Sequence, residues 1–152
     1  MKRFRNIAAL LLASALSAAA HAQDIKSMLN DVRMQAADAF VTVEYQAEMA
    51  SEGTVSYDTG VIEAQDDMWH LKGSFVELYT DGEATWVMDR DSKEVYKESV
   101  WTYGDLESFY NAALSRGASV QVKIISVRYS DKRPVSAFTP EIGEDWIVTD
   151  LR

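Results

Sequence analysis

The chain has 152 residues, of which 24 are acidic and 15 basic, and it contains no cysteine. Disulfides and a thiol nucleophile are therefore excluded. The formal net charge of −9 argues against binding to nucleic acid or to anionic headgroups. The excess of acid either keeps the protein soluble or steers it towards a basic partner.

The first 22 residues have the composition of a secretory signal peptide. Three basic residues precede an apolar run at 7–20, and Ala20-His21-Ala22 is typical of a cleavage site. This run is shorter than the roughly 20 residues that span a bilayer, which favours a cleaved signal over a membrane anchor. We therefore predict a secreted, soluble chain of residues 23–152 that forms one domain. All 24 acidic residues but only 12 of the basic ones follow residue 22, so its formal charge is −12.

A first helix is predicted immediately after Asp24, a residue type that caps helices. Apolar residues recur behind it at helical spacing, so one stripe is expected to face a core. The members of this stripe are Ile25, Met28, Leu29, Val32 and Ala36.

A long strand is predicted over residues 41–49, where apolar and polar residues alternate. The apolar set, which is expected to face the core, is Val41, Val43, Tyr45, Ala47 and Met49. Gly53 then turns the chain into a second strand, whose residues Val55 and Tyr57 are expected on the same buried face. A bulge at Gly60 is predicted to shift the alternation in the rest of this strand.

A meander of short strands follows. The stretch 75–96 contains three strand signals, joined by a turn at Asp81-Gly82 and a polar turn at 89–93. One further short strand, which contains Trp69 and Leu71, precedes this stretch. The apolar residues that these strands are expected to contribute to the core are Trp69, Leu71, Trp86 and Met88.

A second helix is predicted over residues 105–115. Thr102 and Asp105 resemble a capping pair, and Gly117 is expected to stop the helix. Its apolar stripe consists of Leu106, Phe109, Tyr110, Ala113 and Leu114.

The last third of the chain is predicted to return to strands. Residues 120–129 alternate with a change of phase at Ile124-Ile125, which predicts a bulge. Strands at 135–139 and 145–151 bring the count to eight or nine antiparallel strands. The predicted fold is α+β: a strongly curved antiparallel sheet that forms an open half-barrel, with both helices on its concave face.

The inventory of reactive residues argues against an enzyme. The only histidine after the predicted signal, His70, lies on the polar side of a predicted strand, and no serine stands in a G-x-S-x-G motif. Asp89 and Asp91 resemble part of a calcium loop, but the glycine and glutamate of such a loop are missing, so a solvated turn is favoured. We predict no catalytic residue, no metal and no cofactor.

A half-barrel closed by two helices can enclose an apolar cavity. Methionine lets such a surface repack around different ligands, and the chain has six methionines. The candidate lining residues are Met28, Leu29, Val32, Val41, Val43, Tyr45, Met49, Val55, Tyr57, Trp69, Leu71, Trp86, Met88 and Phe109.

The order of several short motifs carries a family resemblance. A signal peptide, a short helix and a long alternating strand are followed by Gly60-x-Ile62, Trp69-x-Leu71, Asp81-Gly82-x-x-x-Trp86, a polar hairpin and the ending Asp150-Leu151-Arg152. This order resembles the LolA family of periplasmic lipoprotein carriers and its shorter relatives. The resemblance implies an unclosed barrel over helices, whose cavity shelters lipoprotein acyl chains between the two membranes of the cell.

The resemblance implies a set of partners, but this chain lacks one feature of the family. It implies a monomeric periplasmic carrier that takes cargo from an inner-membrane donor and passes it to an outer-membrane acceptor. The family's basic Arg-Pro element after the second strand is replaced here by Gln65-Asp66-Asp67, so regulated release of cargo is not implied. The alternative is a structural or protein-interaction module whose half-barrel is solidly packed.

Overall fold

The computed structural model describes residues 24–74, 77–115 and 119–152. The predicted signal peptide, the strand signal at Phe75 and the stop at Gly117 lie outside the described residues. The side chains of Tyr110, Ala113 and Leu114, which were predicted in the stripe of the second helix, also lie outside them.

The described chain contains two α-helices, one short 3-10 helix and eight strands. The helices are α1 (Ile25–Ala36) and α2 (Tyr103–Ser115), and the 3-10 helix is Val135–Phe138. The strands are β1 (Phe40–Ser51), β2 (Thr54–Gln65), β3 (Met68–Lys72), β4 (Glu77–Thr80), β5 (Ala84–Asp89), β6 (Glu94–Ser99), β7 (Ser119–Ser130) and β8 (Ile147–Asp150).

All eight strands belong to one open sheet with the order β7-β1-β2-β3-β4-β5-β6-β8. Every neighbouring pair is antiparallel except β6 and β8, which are parallel. The predicted α+β fold with a mostly antiparallel, unclosed sheet is confirmed. The predictions of a strand at 135–139 and of an antiparallel last strand are wrong. After Pro134 the chain forms the 3-10 helix and crosses the sheet, so β8 runs in the same direction as β6.

Both helices begin as their capping residues predict. The Ser27 N–H donates to Oδ1 of Asp24 at 2.7 Å at the start of α1. At the start of α2, the Thr102 N–H donates to Oδ2 of Asp105 at 2.8 Å, and the Asp105 N–H donates to Oγ1 of Thr102 at 3.2 Å. The predicted stripe of α1 is entirely buried, so this helix packs on the sheet through the face that its sequence marks.

The turn between β1 and β2 fixes which residues of β2 face the helices. Glu52 and Gly53 both have positive φ, 48° and 79°, as a tight two-residue hairpin turn requires. From this turn the two strands pair without a shift to Val41 opposite Ala64. The predicted bulge at Gly60 is therefore wrong, and β2 keeps one phase along its whole length.

This register overturns two predicted core positions. Val55 and Tyr57 are 50% and 59% exposed, because the unshifted pairing turns them to the outer face. Gly60 has a different role from the one predicted. A Cβ atom at Gly60 would lie 2.3 Å from the hydroxyl oxygen of Tyr45, so the absence of a side chain makes room for a fully buried tyrosine.

The bulge predicted in β7 is confirmed. Tyr45 pairs with Ile124, whereas the preceding residue Glu44 pairs with Ser126. Ile125 is thus the extra residue, and it is 57% exposed.

The helices cover one face of the sheet, which we call the helix face. Side chains of α1 and α2 pack there against residues of six strands in one continuous core. The buried strand residues of this core are Val41, Val43, Tyr45, Ala47, Ile62, Ala64, Trp69, Leu71, Leu78, Val122 and Ile124. Phe109 of α2 packs against them and is partly buried.

A second core lies on the opposite face, which we call the outer face. Trp86 is paired with Tyr79, next to the pair of Leu78 and Val87 that faces the helices, so alternation places Trp86 outward. Trp86, Met88 and their neighbours Ala84 and Val95 are buried in this second core. The expectation that Trp86 and Met88 share the core of the long strand is therefore wrong.

The segment 131–146, which we call the strap, covers this outer core. The ring of Phe138 lies 5.8 Å from that of Phe40, and further along Ile142 and Trp146 pack against the Trp86 core. The side chain of Gln65 holds the strap at its start: Nε2 donates to the Arg133 carbonyl at 2.9 Å, and Oε1 accepts from the Arg133 N–H at 2.7 Å. The sheet thus has cover on both faces.

Two valines on neighbouring strands test the register of the sheet. Val43→Asp places a charge among fully buried side chains and is expected to cost more than about 4 kcal/mol of unfolding free energy. Val55→Asp, at a half-exposed position, is expected to change it by less than about 1 kcal/mol. Denaturant unfolding of both variants measures the difference, and equal losses would contradict the assigned faces.

Candidate functional site

An open groove of about 530 Å³ lies beside the start of α2, at the edge where β6 meets β8. Its lining residues come from the end of β6, the loop before α2, the first turns of α2 and the residue after β8. They are Glu98, Ser99, Val100, Trp101, Asp105, Ser108, Phe109 and Leu151. The groove is mostly open to solvent, so a ligand bound there is covered by the protein on one side only.

Two aromatic rings form the apolar part of the groove. The rings of Trp101 and Phe109 are 5.2 Å apart between centroids and inclined at 49°. Both side chains also pack against the core of the helix face, so they separate the groove from that core. Val100 and Leu151 add exposed apolar surface, being 46% and 59% exposed.

Hydrogen bonds hold Trp101 in place. Its N–H donates to Oγ1 of the buried Thr85 at 2.9 Å, and its indole Nε1 donates to Oε2 of Glu98 at 2.8 Å. Because Glu98 and Thr85 are paired across β6 and β5, both contacts come from neighbouring rigid strands. The orientation of the indole in the groove is therefore set before any ligand arrives.

The charge of the groove is negative. Glu98 and Asp105 each contribute a carboxylate, and none of the eight lining residues is basic. The nearest basic residues in sequence are held elsewhere. Arg152 forms an ion pair with Asp150 at 2.7 Å, and Nζ of Lys97 lies 5.3 Å above the Trp86 ring on the outer face.

The structure distributes the predicted cavity residues over four surroundings. Most are at most 3% exposed and pack directly against one another in the core of the helix face: Met28, Leu29, Val32, Val41, Val43, Tyr45, Trp69 and Leu71. Met49 packs at the margin of that core. Trp86 and Met88 lie under the strap, Val55 and Tyr57 are exposed, and Phe109 alone of the set lines the groove.

A cluster of polar side chains on the outer face was not predicted. Glu77 is 3% exposed, and its Oε1 accepts hydrogen bonds of 2.9 Å from Nε2 of His70 and from the hydroxyl of Tyr79. The guanidinium of Arg90 donates to Oε2 of the same carboxylate. The His70 ring stacks on Tyr79 at 3.9 Å between centroids. His70 was predicted to be an exposed strand residue, and this is wrong because it is partly buried in the cluster.

These contacts keep Glu77 ionised. Burial acts to raise the pKa of Glu77, but the hydrogen bonds from His70 and Tyr79 and the charge of Arg90 outweigh it and lower the pKa from 4.5 to about 2. Burial and the adjacent carboxylate raise the pKa of Tyr79. Both carboxylate oxygens of Glu77 accept hydrogen bonds, so the cluster links β3, β4 and the turn after β5. A cleft of about 60 Å³ lies beside the cluster.

The acidic turn at 89–93 is closed by its own hydrogen bonds. Oδ1 of Asp89 accepts from the N–H groups of Asp91 and Ser92 at 2.9 and 3.2 Å. Within the described ranges, no group of three or more histidine, aspartate or glutamate side chains is placed to hold a metal ion. Asp89 therefore acts as a turn residue, which is the interpretation favoured from the sequence.

Comparisons with known proteins add no assignment. Neither the models of protein families nor the curated protein sequences give a match to this chain. Across the part of the chain that the structure describes, no helix is both long enough and apolar enough to cross a bilayer.

Replacing each of two tyrosines by phenylalanine tests the polar cluster, because the Tyr79 hydroxyl is hydrogen-bonded in the cluster and the Tyr103 hydroxyl lies outside it. Tyr79→Phe removes a hydrogen bond to a buried carboxylate and is expected to cost about 1.5–3 kcal/mol of unfolding free energy. The Tyr103 hydroxyl is buried and has no hydrogen-bond partner among the described residues, so Tyr103→Phe is expected to be neutral or stabilising. Thermal and denaturant unfolding compare the two, and a larger loss for Tyr103→Phe would refute this assignment.

The pKa of Glu77 predicts an acid-sensitive contribution to stability. Because the folded-state pKa lies below the ordinary value, the stabilisation is fully present above pH 4.5 and is lost as the pH falls towards about 2. Unfolding free energy measured over this range should fall in the wild type. In Glu77→Gln, which starts lower at neutral pH, the fall should be smaller, and parallel curves for the two proteins would rule out this role for Glu77.

Proposed function

We propose that this protein is a non-enzymatic binder or carrier of acyl chains, and that the groove beside α2 is where the chain is bound. The observation that carries the proposal is an open groove lined by the packed Trp101–Phe109 pair together with exposed Val100 and Leu151. Apolar surface exposed at such a site gains free energy when it is covered, at about 25 cal/mol per Å².

The position of the groove supports binding of a chain rather than of a compact polar ligand. Its apolar side chains come from three separate parts of the fold: Val100 and Trp101 before α2, Phe109 on α2, and Leu151 after β8. All four line the open groove at the edge of the sheet. An extended methylene chain matches this arrangement, because it needs contact along its length and no hydrogen bonds.

The family resemblance supports the same class of ligand but suggests a different place for it. In carriers of the LolA type the acyl chains lie between sheet and helices, and here the residues of that interface are packed against one another. Trp101 and Phe109 belong to both the groove and this core. In our proposal the groove holds the chain while α2 is closed, and any deeper entry requires α2 to move.

The wider biological setting is part of the proposal. The signal-peptide pattern and the resemblance support a periplasmic protein that carries the acyl chains of lipoproteins or related lipids. Exchange with an inner-membrane donor and an outer-membrane acceptor follows from the same resemblance.

A second candidate function is supported by the packing of the interior. A protein-interaction module needs no cavity, and the helix-face core is filled by side chains that are at most 9% exposed. The net charge of the chain and the exposed Val55 and Tyr57 at the end of the longest hairpin are surfaces that a partner can contact.

Binding of neutral amphiphiles of increasing chain length tests the acyl-chain proposal. Alkyl maltosides below their critical micelle concentrations should bind with an affinity that rises by up to about fourfold per methylene, since each buried CH₂ contributes roughly 0.8 kcal/mol. Val100→Asp should weaken binding on the order of tenfold, because it places a charge against the chain.

Val55→Asp is the matched control for this experiment. It makes the same change at a valine of similar exposure, 50% against 46%, that lies on β2 and does not line the groove. Its affinity should equal that of the wild type. Absence of binding at every chain length, by folded and delipidated protein, would exclude the acyl-chain proposal and leave the interaction module.

A further inference from the structure

The groove contains two kinds of group that attract cations. Glu98 and Asp105 are carboxylates, and Trp101 and Phe109 present aromatic rings. Carboxylates attract cations by charge, and aromatic faces attract them through the ring quadrupole, most strongly for tryptophan. Quaternary ammonium groups are recognised by this combination because they cannot donate hydrogen bonds.

We propose that the groove selects acyl-chain amphiphiles whose headgroup is cationic, in particular a quaternary ammonium. This inference rests on the proposed function, and it adds the headgroup to the chain. The apolar side chains of the groove contact the methylenes, and the positive head lies beside the carboxylates and the indole.

The carboxylates remain available for this role. Glu98 accepts one hydrogen bond from Trp101, and Asp105 accepts two from Thr102 on the same oxygen, Oδ2. Neither forms an ion pair with a basic residue among the described contacts, whereas Glu77 on the outer face is paired with Arg90. The formal charge of the groove is thus left uncompensated.

The bond between Glu98 and Trp101 couples the two groups. An indole N–H that donates to a carboxylate gains electron density on its ring, which strengthens its attraction for a cation. The same bond holds the carboxylate beside the indole at 2.8 Å, so the negative charge and the aromatic ring are neighbours in the groove. Selection for a positive head therefore comes from one preformed unit.

The same charges act against anionic amphiphiles. A sulfate or free carboxylate head placed at the same position meets two like charges and no cation. If the charged head lies about 6 Å from each carboxylate in a solvent-exposed site, the two carboxylates raise the affinity for a cationic head on the order of tenfold at low salt. They lower the affinity for an anionic head by a similar factor. Salt weakens this effect, since the Debye length is about 10 Å at 0.1 M.

The experiment compares three dodecyl amphiphiles that differ only in the head: trimethylammonium, maltoside and sulfate. At low salt the affinities should fall in that order, with on the order of a hundredfold between the first and the last. Added salt should bring the trimethylammonium and sulfate affinities together and leave the maltoside affinity unchanged. These measurements use the wild-type protein alone and do not depend on any variant folding.

Substitutions of the two groove carboxylates test whether the headgroup preference arises in the groove. Glu98→Gln with Asp105→Asn removes both charges and keeps acceptors for Trp101 and for the helix cap, so the preference for trimethylammonium over maltoside should disappear. Glu48→Gln, an exposed glutamate on β1, is the control and should keep the preference.

Each outcome decides between the two proposals. Equal affinity for all three heads overturns the headgroup inference and leaves acyl-chain binding intact. No binding of any amphiphile overturns both. A preference for trimethylammonium that Glu48→Gln also loses, or that the double variant keeps, shows that net charge rather than the groove is responsible, and this overturns the inference. If the groove binds only a basic, apolar peptide and no amphiphile, both proposals are overturned and the protein-interaction module is favoured.

Discussion

The arrangement of this protein depends on a sheet that is apolar on one face along β1 and on both faces along β5. On β1 the side chains of Val41, Val43, Tyr45 and Ala47 face the helices and are fully buried, while Glu44 and Glu48 point outward. On β5, Val87 faces the helices and Trp86 and Met88 face away from them. Helices alone cannot cover such a sheet. The strap supplies the missing cover, and its route across the outer face is what brings β8 to the far edge, parallel to β6.

The elements with strong local signals were predictable, because local chemistry determines them. The cap at Asp24, the capping pair of Thr102 and Asp105, and the bulge at Ile125 all follow from residues adjacent in sequence. The phase of β2 was not predictable in the same way. Val55 and Tyr57 look like core residues, but the two-residue turn at Glu52-Gly53 pairs Ser51 with Thr54 and so decides the face of every residue that follows.

The outer face was missed for a related reason. Alternation shows that Trp86 and Met88 share a face, but it does not show which face, and two apolar faces on one strand leave the choice to distant segments. The strap provides Ile142 and Trp146 from more than fifty residues further along the chain. The cluster around Glu77 depends in the same way on His70, Tyr79 and Arg90 meeting across three elements. The available signal was a single glutamate within an apolar run, which indicates a buried charge that requires partners.

The candidate site lies where the helices and the strap stop covering the sheet. α2 begins at Tyr103 and β8 ends at Asp150, so Trp101 and the first turns of α2 lie beside the last part of β6. A fold that fills its interior leaves its accessible apolar surface at such margins. There the Trp101 backbone N–H is held by Thr85 and the indole by Glu98, which means that the aromatic surface persists without a ligand. This is why the proposed binding surface lies at the edge of the sheet, although the sequence pattern suggested its centre.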